Sequence, residues 1–231
     1  GRWKQAEADA GQGSAMASRA EPMFQGAEWR IHALTIPVLT GSQPREVLER
    51  RLREALDRVQ ADAARTDIVA ANFSELQTLA LGYLGAQIDS QVVVRQALRS
   101  LEGSKDVAGY PLQVQMREVL LAEQERLEGA PEAAVTRLSA IVRSDQALVL
   151  AHAALLRAAR GTKQTPLALR EAKWLSGHRG RAYMEWAVEG LLKPVNVAET
   201  TLAHLDAAEL FSQLGQEADA RRELGAFRGA W

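Results

Sequence analysis

The stretch KWLSGHRGRAYMEW, Lys173 to Trp186, gathers the side chains with the most evident capacity for chemistry in this 231-residue chain. His178, Arg179 and Arg181 lie on a glycine-rich turn, where they offer several donors to a carboxylate or a phosphate. Trp174, Tyr183 and Trp186 supply flat apolar faces on which a ligand could stack. These six residues form one candidate ligand pocket. The competing reading is a joint between helices. Trp174 and Leu175 close one helix, Gly177 stands just past its end, and Tyr183 and Trp186, three apart, share a face of a short helix over about 181–191. There they plug a groove widened by an insertion, and the joint is the favoured reading.

Other reacting groups are sparse. There is no Gly-x-x-x-x-Gly-Lys loop, no Gly-x-Gly-x-x-Gly, no Gly-x-Ser-x-Gly and no His-Glu-x-x-His. His32, His152, His178 and His204 are scattered along the chain, and His204 with Asp206 is too small a set to hold a metal. His152, on an alanine-rich helix, suits a core or groove position better than ligation. Paired carboxylates such as Glu123 with Glu125 are i, i+2 and face apart on a helix. With no cysteine, thiolate sites and disulfides are excluded. No catalytic, cofactor or metal residue is assigned.

Charge narrows the partners. Twenty-eight basic against 29 acidic residues leave no global field for nucleic acid or an anionic membrane. No run reaches the roughly 18 apolar residues of a membrane span. The chain opens on Gly1 rather than methionine and reads as a portion of something longer, in which GRWKQ suits the exit from a membrane span or an upstream domain. Alanine and arginine richness suggests a bacterial source, and the compartment, cytoplasmic or periplasmic, is left open.

The elements that must position these residues are helices. Residues 1–41 read as a linker or irregular capping segment, frayed or helical in part, with Pro37 set against a strand. After Gly41 apolar residues recur at three and four, as in Val47, Leu48, Leu52, Ala55, Leu56 and Val59. Further helices are predicted over 68–84, 89–101, 111–128, 131–143, 146–160, 166–176, 197–214 and 217–229. Asp89, Ser144, Thr165 and the Asn196–Glu199 box are their expected caps. Gly85, Gly129, Gly161 and Gly215 are their expected stops.

The helices pair into similar hairpins. Ala122, Gly129, Ala134, Leu138 and Ile141 recur as Ala208, Gly215, Ala220, Leu224 and Phe227 at the same offsets. Leu81, Gly85, Ser90, Val94 and Ala97 follow more loosely, and a fourth hairpin around AHAALLRAARGTKQTPLALREAKWL is expected to need extra residues in its turn. The pattern resembles the tetratricopeptide repeat (TPR), in which a small residue on the first helix lets the second pack closely and glycine makes the turn. Stretches such as REAKWLSGHRGRAYMEW and ELGAFRGAW are also similar to degenerate repeat regions at the carboxyl end of bacterial multidomain signalling proteins, among them cyclase-like proteins of peptide modification systems.

The resemblance implies an all-α fold, antiparallel hairpins stacked as an irregular TPR-like α-solenoid over 42–231 with an inserted segment near 177–196. It implies a non-enzymatic scaffold, a regulatory or sensory part of a larger protein, that takes a protein or peptide segment, or upstream domains of its own chain, on its concave face. Matching repeat positions places Glu75, Tyr83, Glu123, Arg126, Glu209 and Gln213 there. Without a lysine and asparagine clamp, a generic peptide carboxylate is not the expected ligand. The second reading is a ligand-sensing domain using the pocket at 173–186. Phe227 and Trp231, uncovered by a further repeat, point to self-association through the terminal helix.

Overall fold

A computed structural model describes the backbone of residues 3–17, 23–63, 68–102, 111–185 and 190–230, and the side chains of 4–16, 29–62, 73–102, 111–185 and 190–230. Among these residues there are twelve helices and no strand. They are α1 (Trp3–Ala17), α2 (Met23–Thr40), α3 (Arg45–Ala63), α4 (Ile68–Gln87), α5 (Gln91–Ser100), α6 (Pro111–Leu127), α7 (Pro131–Ile141), α8 (Val149–Gly161), α9 (Thr165–Gly177), α10 (Arg179–Met184), α11 (Lys193–Gln213) and α12 (Glu217–Ala230). None of the described helices is long and apolar enough to cross a membrane. The chain divides into two compact units, Gly1–Leu120 with Ala187–Pro194 and Leu121–Trp186 with Val195–Trp231.

In the first unit α3 shows why the helices form. Leu48, Leu52, Leu56 and Val59 stand three and four apart and are buried, while Arg53, Glu54 and Asp57 on the other side are exposed. Each such leucine contributes roughly 1.5–3 kcal/mol of transfer free energy. Ile31 and Leu34 of α2 and Leu79, Tyr83 and Leu84 of α4 are buried in the same unit. Helix α2 runs through Pro37. The ring removes one backbone donor, but burial of Ile31, Leu34, Ile36 and Val38 holds the segment helical.

Four hairpins, α4–α5, α6–α7, α8–α9 and α11–α12, close with one and the same turn. A residue at positive φ follows the first helix: Asp89 (53°), Gly129 (86°), Lys163 (56°) and Gly215 (73°). Its N–H bonds to the carbonyl three residues back, and the N–H of the next residue to the carbonyl five back, at 2.8–2.9 Å from Ser90, Ala130, Gln164 and Gln216. This double bond pattern is the Schellman motif, which satisfies helix-end carbonyls without side chains.

The turns correct several expectations. Gly85 does not stop a helix. It lies inside α4, where a Cβ would fall 2.4 Å from Val93 Cγ1, so glycine is required by the close approach of α5. Gly161 is the last residue of α8, and Lys163 takes the left-handed position. The α8–α9 turn therefore has no extra residues. Counting back seven from Asp89, the counterpart of Ala122 is Gly82, whose added Cβ would meet Ala97 Cβ at 2.8 Å. Asp89 is the left-handed residue, and Ser90 is the cap, accepting from Val93 N–H at 3.2 Å. Ser144 accepts from Gln146 N–H but stands five residues ahead of α8. Thr165 is already the first residue of α9, so Gln164 takes the cap position, without a side-chain bond. Asn196 lies buried within α11, so it caps nothing.

Candidate functional site

In the second unit the small residues of α8 (Ala153, Ala159), α9 (Ala168, Ala172) and α11 (Ala203, Ala207) form a shared core with Leu156, Leu175, Leu210 and Phe211. Alanines at these contacts let the helices approach closely. Polar side chains ordered by this core form three groups.

The first spans the first helices of three hairpins. Arg157 of α8 donates from Nη2 to Glu123 Oε1 of α6 at 2.7 Å and from Nη1 to Glu199 Oε1 of α11 at 2.7 Å. Arg126 donates to the other oxygen of Glu123 at 2.6 Å. One helical turn along α8, Arg160 donates to Glu209 Oε2 at 2.7 Å and also pairs with Asp206. Glu123 is only 1% exposed, and a carboxylate so enclosed needs the two guanidinium groups that flank it. The ladder thus brings together Glu123, Arg126 and Glu209, all expected on the binding face. Gln213 lies exposed on the same helix as Glu209. Glu75 is half-buried on α4. Tyr83 is fully buried and offers no surface, which corrects its place in the expected set.

Arg157 and Arg160 are not among the residues expected on the binding face, and Glu199 and Asp206 stand in the sequence only as part of a cap and as too small a metal set. The signal was present: Glu123, Arg157 and Glu209 each stand six residues before a left-handed turn residue, and Arg126 and Arg160 three before. Opposite charge at one repeat position marks the pair Glu123 and Arg157, while Glu209 pairs with Arg160 three residues further along α8.

The second group is the joint. Trp174 of α9 stacks on His152 at 3.5 Å between centroids (12° between planes) and on His178 at 4.1 Å (13°). Two rings so close and so nearly parallel to one indole cannot share a face without overlapping, so both faces of Trp174 are covered. It is not available to stack on a ligand. His178, exposed, bonds through Nδ1 to the Trp174 carbonyl at 2.6 Å. Arg181 of α10 donates to the carbonyls of Asp145 (2.9 Å) and Ala147 (2.6 Å), with its guanidinium carbon 5.6 Å from the Trp174 ring.

Glu185, just after α10, accepts the Val149 N–H at 3.0 Å and bonds to Arg181 Nε at 3.3 Å and Asn196 Nδ2 at 3.4 Å. It caps the first turn of α8 from outside the helix, the service expected of Ser144. Burial pushes its carboxyl above the ordinary value of 4.5, against the opposing pull of Val149 N–H, Arg181 and His152. Tyr183 is 51% exposed and plugs no groove. Arg179 is half-buried, its Nε enclosed without a hydrogen bond. Trp186 lies outside the described residues. Of the candidate pocket residues, Trp174 borders a cleft that lies elsewhere: about 530 Å³ between α7, α8 and α9, with Arg143 and Arg170 at its rim and His152 and Glu171 in its wall.

The third group recurs. His152 Nδ1 meets Glu171 Oε2 at 2.7 Å, and His204 Nδ1 meets Glu223 Oε2 at 2.7 Å. Both partners are 52 residues on (204 against 152, 223 against 171), as is Gly215 against Lys163. Leu150, Ala151, Gln164, Ala168 and Arg170 likewise return as Leu202, Ala203, Gln216, Ala220 and Arg222. A carboxylate-oriented imidazole in a cleft has the parts for moving a proton. Its copy at the same register of the next hairpin serves to clip one helix to the other.

The chain matches no protein-family model, no curated protein and no solved structure.

Proposed function

We propose that this chain is a non-enzymatic interaction module of TPR-like helical repeats, a regulatory or sensory part of a larger bacterial signalling protein. It takes an extended or helical partner segment on the face formed by the first helices of its hairpins. The observation that carries this reading is the common turn, repeated at Asp89, Gly129, Lys163 and Gly215. One supersecondary unit used four times is the way repeat proteins build a surface rather than a single reaction centre. Recurrence of the His–Glu clip supports a structural use of the groups best suited to acid–base work. On α11, Glu209 and Gln213 offer a partner a carboxylate and an amide that are both exposed.

The test is selection of a phage-displayed peptide library on the intact chain. Enriched peptides are expected to bind the wild type and to lose at least roughly tenfold in affinity, the worth of one charge-assisted hydrogen bond, on Glu209→Arg with Gln213→Ala. Circular dichroism of the variant should be unchanged. Failure to enrich any peptide, or undiminished binding to the variant, would overturn the reading. A ligand-sensing role is supported by the cleft beside Trp174, in place of the aromatic turn itself.

A further inference from the structure

In the first unit, far along the chain from the aromatic turn, α1, α2, α3 and α4 line a half-open pocket of about 180 Å³. Three arginines line it: Arg30 from α2, and Arg51 and Arg58 from α3, two helical turns apart. Arg51 is held by Gln43 Oε1 at 2.8 Å. Arg30 and Arg58 make no hydrogen bond or ion pair with any described residue.

The wall also contains Gln77 of α4, 9% exposed, with no hydrogen bond to the described protein. A buried primary amide without a partner leaves two donors and an acceptor unmet, which is uncommon in a folded interior. Its side chain lines the pocket. Beside it, Ile31, Leu34, Val59 and Leu81 are all buried and present an apolar surface.

Charge sets the class of occupant. Glu54 and Asp62 also border the pocket, but Glu54 faces Arg50 outside it at 4.0 Å, and it is Arg30 and Arg58 that lack a partner among the described residues, so the charge left to be met is positive and the occupant is an anion. A guanidinium matches a carboxylate with two parallel hydrogen bonds. Size sets the rest, because an apolar cavity of about 150 Å³ accommodates benzene. We propose that this pocket is a binding site for a small organic monocarboxylate with an apolar, benzene-sized body. The carboxylate meets Arg58 and Arg30, Gln77 donates to it or to a polar substituent, and the apolar body lies against Ile31, Leu34, Val59 and Leu81. The site is independent of the face on which a partner segment docks, so either can fail without the other.

The experiment is titration of the intact chain with benzoate, followed by NMR of the Gln77 side-chain amide and the methyl groups of Ile31, Leu34, Val59 and Leu81. Saturable shifts at these groups are expected. Benzamide, of the same shape and without charge, should bind at least about tenfold more weakly, as should benzoate to Arg58→Gln, because each removes a charge-assisted contact. Arg58 is exposed and its replacement leaves the core intact. Gln77→Leu, checked for folding by circular dichroism, should weaken benzoate to a similar degree. No saturable shift at these groups overturns the proposal, as does equal binding of benzamide and benzoate or undiminished binding to Arg58→Gln.

Discussion

The hairpins α8–α9 and α11–α12 hold the same His–Glu pair in the same register, yet only the first carries a second layer of side chains. His152 and Glu171 are 7% and 3% exposed at their side chains, beneath Trp174, His178 and Arg181. His204 and Glu223 are 14% and 15% exposed, and the positions matching Trp174 and His178 are Ala226 and Ala230. The geometry of the pair is the same, 2.7 Å in each. What differs is solvent, and solvent decides how much a polar pair contributes. Deep pairs are expensive to break because the survivor is left dry, while partly wetted ones are easily replaced by water.

The largest effect should come from removing the buried carboxylate. Glu171→Ala is expected to destabilise the chain by about 3 kcal/mol and Glu223→Ala by about 1 kcal/mol, read from urea midpoints. Equal losses would mean that burial does not separate the two hairpins.

The turns offer a second contrast, since Lys163 adopts the left-handed conformation with a side chain and Gly215 without one. Gly215→Ala should cost about 1 kcal/mol, and Lys163→Gly should be neutral or gain a few tenths, the strain relieved being offset by a looser unfolded chain. A stabilising Gly215→Ala, or a Lys163→Gly that costs as much as Gly215→Ala, in thermal melts would break the equivalence of the two turns.

Glu185 belongs only to the overlaid hairpin and should be visible as a slope. Its carboxyl holds a proton more tightly in the folded chain than in the unfolded one, because burial disfavours the charge. The folded state thus binds more protons between the ordinary value of 4.5 and the raised one, and the stability due to this group falls as pH rises through that window. Glu185→Gln should abolish that decline, measured as the difference between wild-type and variant urea midpoints across the window. A constant difference would contradict the burial that sets Glu185 apart. Among the losses in stability the smallest should be that of His178→Ala, about 0.5 kcal/mol, since its ring stacks on Trp174 from the exposed side.

Much of this architecture was legible in residue order, and the limits have physical causes. Helices such as α3 announce themselves through leucines at three and four. Gly129 and Gly215 marked their turns because glycine adopts positive φ freely. Asp89 and Lys163 did not, because residues with side chains in that conformation leave no mark in the sequence. Gly85 was misread for the complementary reason, that glycine also serves close packing. Glu185 could not be recognised as the cap of α8, since it lies 36 residues from Val149. Glu123, Arg126 and Glu209, grouped by repeat position, all take part in the ion-pair ladder, while Tyr83 shared the pattern and lies in the core. Trp186 and Trp231, expected at the joint and at a self-associating end, lie outside the described residues.

The turn itself bears on how such a chain can change over generations. Its bonds join main-chain atoms only, so nearly every side chain around it is free to mutate while the bend persists. Copies of a hairpin can therefore drift until little beyond the bend betrays common descent. The interval from bend to bend varies, 40, 34 and 52 residues from Asp89 through Gly129 and Lys163 to Gly215, so what the hairpins hold in common is the placing of residues around each bend, and an insertion or deletion inside a turn would do more damage than one between hairpins.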